Sequence, residues 1–112
     1  MKIVFTSKGK NWESEMDERF GRTAFLISFD EESKMLSFVD NTAIQNEAHG
    51  AGPLTVQKLL ELKPDVLITG NGPGKNAATL LSNTGIDIYT GASDMIVKDA
   101  YTAFKSNSLT KI

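Results

Sequence analysis

The sequence predicts a single α/β domain with a mixed five-stranded sheet and flanking helices. Three observations point there. Short β-branched and aromatic runs recur at strand length. Two of them, residues 23–30 and 35–41, are separated only by the polar residues 31–34 and read as an antiparallel hairpin. Beyond the hairpin, helix-like and strand-like segments alternate, as they do where parallel strands are joined by right-handed crossovers.

Residues 2–6 (KIVFT) form the first strand. Residues 7–22 are polar and glycine-containing, and read as a long loop or one carrying a short helical turn. In residues 23–30 (TAFLISFD), Phe25, Ile27 and Phe29 fall on one face and Ala24, Leu26 and Ser28 on the other, which suits a well-buried strand. Residues 35–41 (MLSFVDN) are its hairpin partner. Val56, Leu59 and Leu60 give helical spacing over residues 54–63, with Pro53 suited to a first turn and Pro64 marking the stop. Residues 65–69 (DVLIT) are continuously apolar, as a central parallel strand is. A glycine-rich loop then leads to a helix over residues 76–83, with Gly85 as a left-handed cap. Residues 86–89 make a short strand. Ser93 is placed to N-cap a last helix over residues 94–105, with Ile96, Val97, Ala100 and Phe104 facing in. The predicted order is β-β-β-α-β-α-β-α.

Composition narrows the function classes. The 112 residues suit one domain with one core, and 40% of them are apolar. A net charge of −2 gives no global pull toward nucleic acid or membrane. Without cysteine there are no disulfides, Cys-ligated zinc sites, thiol catalysis or Cys-ligated iron–sulfur clusters. The apolar run near Met1 is strand-length, shorter than a signal peptide requires, and no stretch approaches a membrane span. The expectation is a cytoplasmic protein with neither nucleic-acid nor membrane partners.

Three glycine- or arginine-rich places carry the chemistry. The first is ITGNGPGKNA, residues 68–77. A P-loop needs four residues between its first glycine and Gly-Lys, then Ser or Thr for magnesium; here the loop is one residue short and ends in Asn76. A dinucleotide fingerprint fails on its last spacing. The loop nonetheless leaves a buried strand and opens a helix, where Gly72, Gly74, Lys75, Asn76 and unpaired N–H groups suit an anion. A plain strand-to-helix turn with a solvated lysine fits equally.

The second place is HGAGP, residues 49–53, where Gly50, Ala51 and Gly52 open another helix. His49 is the sole histidine. One imidazole cannot build a mononuclear zinc site, but it can anchor a cluster that brings its own sulfide ligands, or it can stand exposed. The third is DERFGR, residues 17–22, in which Arg19 and Arg22 offer planar donors to an anion. Alternatively, Asp17 pairs with one of them to pin the loop while Phe20 fills the core edge. No hydrolytic triad is present, and residues 30–32 (DEE) read as a solvated hairpin turn.

DERFGR followed by TAFLISFD, with HGAG, DVLITG and GIDIY downstream, resembles the dinitrogenase iron–molybdenum cofactor biosynthesis family nearly end to end. The matching positions are Asp17, residues 19–22, Asp30, Asn41 and residues 50–52. The resemblance implies a ribonuclease-H-like fold. It also implies a non-catalytic role in binding, carrying or delivering an iron–sulfur or iron–molybdenum cluster or precursor, with cofactor-assembly proteins as partners. Nucleases of that fold carry an acid on the first strand, and residues 2–6 have none. Where the family has Gly-Pro-x-Ala, this chain has Gly74-Lys75-Asn76-Ala77, which adds a cation at a helix start. The competing readings are a sensor of a small anion or nucleotide phosphate, and a protein-interaction module, both without metal.

Overall fold

A computed structural model describes residues 1–112. Its sheet is assembled around β1 (Lys2–Ser7), which pairs antiparallel with β2 (Phe25–Asp30) on one side. β2 continues into its hairpin partner β3 (Met35–Asp40), in register from Phe25–Asp40 to Asp30–Met35. The chain then makes two helices, α1 (Thr42–Gln45) and α2 (Ala51–Glu61). It returns as β4 (Val66–Ile68), parallel to β1 on the other side. After α3 (Lys75–Leu81), β5 (Asp87–Thr90) lies parallel to β4. α4 (Val97–Lys105) leads to β6 (Thr110–Lys111), antiparallel to β5. The strand order is β3-β2-β1-β4-β5-β6. Its first five members have the ribonuclease-H-like arrangement, so the predicted α/β class is correct.

The sheet has six strands, where five are expected from the sequence. β6 is two residues long, too short to show any periodicity, and is held by the ladder to Tyr89 and Thr90 and by the Lys111–Asp87 ion pair at 3.3 Å. The four-residue α1 is likewise absent from the expected order. α2 begins at Ala51, with Pro53 third in the helix, and ends where Lys63 takes a left-handed φ of 52° before Pro64. α4 starts at Val97, three residues later than expected, and Ser93 does not cap it. Residue 96 is extended there, bridged to Glu15, and the Val97 N–H donates to Ser14 O at 2.8 Å. Ser93 Oγ instead donates to Asn71 Oδ1 at 3.0 Å.

Alternation along the strands sorts the core into two layers. Ile3, Phe5, Ile27, Phe29, Val66 and Ile68 face α4, where they meet Val97 and Ala100. Val4, Leu26 and Leu67 face the opposite way, against Val56 and Leu59 of α2 and Ala77 and Leu81 of α3. Trp12 packs over the α4 layer, with its ring centre 5.0 Å from Phe29 and 5.6 Å from Tyr101. The helices of the second layer are those that open from glycine-rich loops.

The hairpin turn is less solvated than the sequence suggests. Glu31 Oε2 accepts from Tyr101 Oη at 2.6 Å and from Lys105 Nζ at 2.9 Å, tying the turn to α4. The Tyr101 hydrogen bond, more than Lys105, holds the Glu31 carboxyl below its usual range. The same bond, with burial adding to it, pushes the Tyr101 phenol up from 10.0 to about 12.

The sign of each effect on stability follows by linkage. The lowered Glu31 carboxyl stabilises the fold above ordinary carboxylate pH, and that contribution is lost as pH falls through its folded value. The raised Tyr101 phenol stabilises below pH 10 and the contribution is lost as pH rises through about 12. Tyr101→Phe should cost about 1 kcal/mol at neutral pH in urea unfolding, and should flatten both limbs of the stability–pH curve. Gly70→Ala should cost about 2–3 kcal/mol by overpacking, because a Cβ there would lie 2.5 Å from Glu18 Cα and 2.9 Å from Ser93 Oγ. A Gly70→Ala protein unfolding at the wild-type midpoint would contradict that close approach.

Candidate functional site

The loops leaving the C-terminal ends of β1 and β4 meet the start of α2 and enclose an open cleft of about 830 Å³. Residues 19–22, 48–53 and 74–77 line it. Each segment reaches the cleft for a reason legible in its own bonds.

Residues 19–22 are placed by Asp17, which is 1% exposed. Its Oδ1 accepts from the Arg19 backbone N–H at 3.0 Å and from Arg19 Nε at 3.2 Å. Its Oδ2 accepts from Arg19 Nη2 and the Ala24 N–H, both at 3.3 Å. The Asp17 backbone is held as well, donating to Thr6 O at 3.0 Å and accepting from Thr6 Oγ1 at 2.8 Å. Arg19 therefore stands at the cleft with its side chain 49% exposed and aimed by a fixed carboxylate. Hydrogen bonding to Asp17, outweighing the cost of burial, raises the Arg19 guanidinium above its ordinary value. Phe20, next in line, is buried against Val4, Leu26 and Val56.

Gly21 is needed for close approach. A Cβ on it would sit 3.1 Å from Gly52 Cα, so the loop and the first turn of α2 touch through backbone. Thr55 Oγ1 donates to Gly21 O at 2.7 Å and itself accepts from Asn41 Nδ2 at 3.0 Å. Arg22 turns to the second segment. Its Nη1 donates to Gln45 O at 3.0 Å and Glu47 O at 2.6 Å, which holds the chain just before His49.

The second segment carries exposed His49 and Gly50, the latter at φ 78° as the residue preceding α2. The N–H groups of Ala51 and Gly52 have no protein acceptor, as helix starts leave them. The third segment continues ITGNGPGKNA, and the loop proves to be divided. Its first half is bolted down: Asn71 N–H donates to Glu18 O at 2.9 Å, and Gly70 O accepts from Gly91 N–H at 2.9 Å. Gly72, at φ 91°, packs toward Thr90 and Ile112 and lies outside the cleft lining. The second half, Gly74, Lys75 and Asn76, forms the wall, with Lys75 exposed and in no ion pair.

Of the residues singled out in the sequence, Arg19, Arg22, His49, Gly50, Ala51, Gly52, Gly74, Lys75 and Asn76 come together at one cleft, and Gly72 does not. Sequence reasoning missed Thr55, a threonine inside a helix with no local mark, and the use of Gly21 against Gly52. No Asp or Glu lines the cleft. No group of three His, Asp or Glu side chains gathers anywhere in the chain to hold a bare metal ion. The arrangement presents two guanidinium groups, one ammonium, one imidazole and free backbone donors to a single space. That donor set suits a multiply charged anion.

The chain is similar to known proteins over nearly its whole length. Residues 1–107 match the family model described as dinitrogenase iron-molybdenum cofactor. The apo form of the orange protein from Desulfovibrio gigas superposes with a TM-score of 0.91 at 30% identity, covering 99% of this chain and 92% of that one. A candidate NifB protein from Thermotoga, of the DUF35 family, superposes with a TM-score of 0.84 at 33% identity, covering 98% of this chain and 91% of that one. No curated protein matches the chain significantly.

Asp17→Ala should lose about 2–3 kcal/mol of stability, since it strips acceptors from buried N–H groups and frees a half-exposed arginine. Urea unfolding with an unchanged m-value checks this. A loss under about 0.5 kcal/mol, the range of ordinary surface changes, would deny Asp17 its organising role.

Proposed function

The chain belongs to the dinitrogenase iron–molybdenum cofactor family, and from that premise and the cleft's donor set we propose that it is a non-catalytic carrier of an iron–sulfur or iron–molybdenum cluster, or of a cofactor precursor. The observation that supports this reading most is the clustering of Arg19, Arg22, Lys75 and His49 around one space lined by no carboxylate. A sulfide-surfaced cluster is a polyanion carrying its own bridging ligands. It needs surface donors and at most one or two inner bonds, whereas a bare cation would need the ligand group this chain lacks.

The roles follow from the bonds already described. His49 is the one side chain able to bond a cluster metal directly, through an imidazole nitrogen. Arg19 and Lys75 meet negative charge on the cluster surface, and the free N–H groups of Ala51 and Gly52 hydrogen-bond sulfide or oxygen. Gly50, at φ 78°, makes the left-handed turn into α2, Gly74 precedes α3 with open space beside it, and Asn76 offers an amide at the rim. Arg22 acts mainly by setting the chain that presents His49, since its Nη1 is spent on Gln45 and Glu47. Cargo held by few direct bonds in an open cleft is released reversibly, as delivery to cofactor-assembly proteins in the cytoplasm requires. Gly72 takes no part. A small phosphate-bearing ligand in the same cleft is the rival outcome, although Asn76 stands where a nucleotide loop needs Ser or Thr.

The test is anaerobic. The protein is mixed with iron–molybdenum cofactor or with a thiomolybdate–iron cluster and desalted, and metal and sulfide retained per chain are measured. Retention near one cluster per chain is expected, falling about tenfold or more in His49→Ala and severalfold in Arg19→Gln. Amide shifts at residues 50–52 and 74–77 should accompany binding. Retention unchanged in His49→Ala would remove the imidazole from the site. No retention of either cluster, with inorganic phosphate shifting the same amides, would give the cleft to a phosphate ligand.

A further inference from the structure

β3 is the free edge of the sheet opposite β6, and it is six residues long with no charge or proline between Met35 and Val39. Natural edges of that length are normally blunted by such residues. Met35 is 68% exposed and Phe38 48%. Lys10 Nζ lies 5.5 Å from the Phe38 ring centre.

The direction of the free backbone groups follows from two hydrogen bonds. Asn41 N–H donates to Ala24 O and Glu31 N–H donates to Met1 O, both in the β2 registers. Alternation then turns the N–H and C=O groups of Met35, Ser37 and Val39 toward β2, and those of Leu36, Phe38 and Asp40 outward. Lys58 Nζ lies 3.5 Å from Asp40 O, so the open pairing groups are those of Leu36 and Phe38.

The edge reads K-M-L-S-F-V-D over residues 34–40, and it is complementary to its own reverse. Laid antiparallel on a second copy about a two-fold axis at Ser37, it sets Leu36 opposite Phe38, Met35 opposite Val39 and Lys34 opposite Asp40. Leu36 and Phe38 both point outward, so this register makes them a hydrogen-bonded pair on each side of the axis. Shifting the axis to Phe38 would set Leu36 against Asp40 and leave Lys34 without an acid. Lys34 is in no ion pair within the chain. Asp40 uses Oδ1 for the Thr42 N–H and hydroxyl, leaving Oδ2 available.

The geometry points to a homodimer formed by β3 pairing with β3 of a second copy, making one continuous sheet with Ser37 on the two-fold axis. No residue lining the cleft lies on β3, so cleft and dimer edge are separate surfaces. An interface built on one short strand falls below the ~1,200 Å² of a standard complex, so the dimer is weak.

Sedimentation velocity of the whole chain from about 10 µM to about 1 mM tests the association. A monomer–dimer equilibrium is expected, weakened about tenfold or more by Phe38→Lys and by Lys34→Glu, and restored when Asp40→Lys is added to Lys34→Glu. Hydrogen exchange locates the contact independently. The Leu36 and Phe38 amides should exchange freely at low concentration and become protected at high concentration, while Ser37, already bonded to β2, stays unchanged. Monomer at every concentration overturns the proposal. So does a dimer that folded Phe38→Lys leaves intact, or one that gives no protection at Leu36 and Phe38.

Discussion

A carboxylate as buried as Asp17 must have its lone pairs filled, and they are filled from both sides of one loop. The backbone N–H and guanidinium of Arg19 come from one direction and the Ala24 N–H from the other. Thr6 grips the Asp17 peptide from β1 by donating its hydroxyl proton, and the same Oγ1 accepts from the Thr69 hydroxyl at 2.9 Å, beyond the end of β4. The two central parallel strands and the arginine loop are thus joined at a fully buried point. Phe20 can be buried only because the loop is held this tightly, and with Phe20 in place Gly21 lies against Gly52. The first turn of α2, and with it the second wall of the cleft, is set by that chain of contacts.

The cations around the cleft divide their tasks. Arg19 is aimed by a carboxylate and keeps its outer face exposed; Arg22 is spent on backbone carbonyls and acts at one remove; Lys75 has no partner and keeps its conformational freedom. A rigid planar donor beside a mobile point charge suits an anion whose shape varies more than its charge. The free helix-start N–H groups add directional donors that need no reorganisation on binding.

Much of the fold was readable because it rests on local pattern. The alternation of Phe25, Ile27 and Phe29 against Leu26 and Ser28 fixes which layer each side chain joins, and Val56 and Leu59 with Pro53 and Pro64 mark α2. The misses have tertiary causes. β6 exists only because Tyr89 and Thr90 offer it a ladder, and α4 starts late because residue 96 is claimed by Glu15. At the site, residue types in glycine-rich loops announced a cleft, but not how the loop of residues 70–77 divides. Gly70 and Gly72 face Glu18 and Thr90, contacts between segments remote in sequence. The pairing of Asp17 with Arg19 was among the alternatives because it is local; the diversion of Arg22 to Gln45 and Glu47 was not.

Met16 belongs to the core beneath α4, while Phe20, a few residues on, belongs to the core beneath α2 and α3. The segment between them passes round the end of the sheet with Asp17 as its fulcrum. Volume changes in the α4 layer, otherwise screened from the cleft by the sheet, therefore have a covalent lever on it.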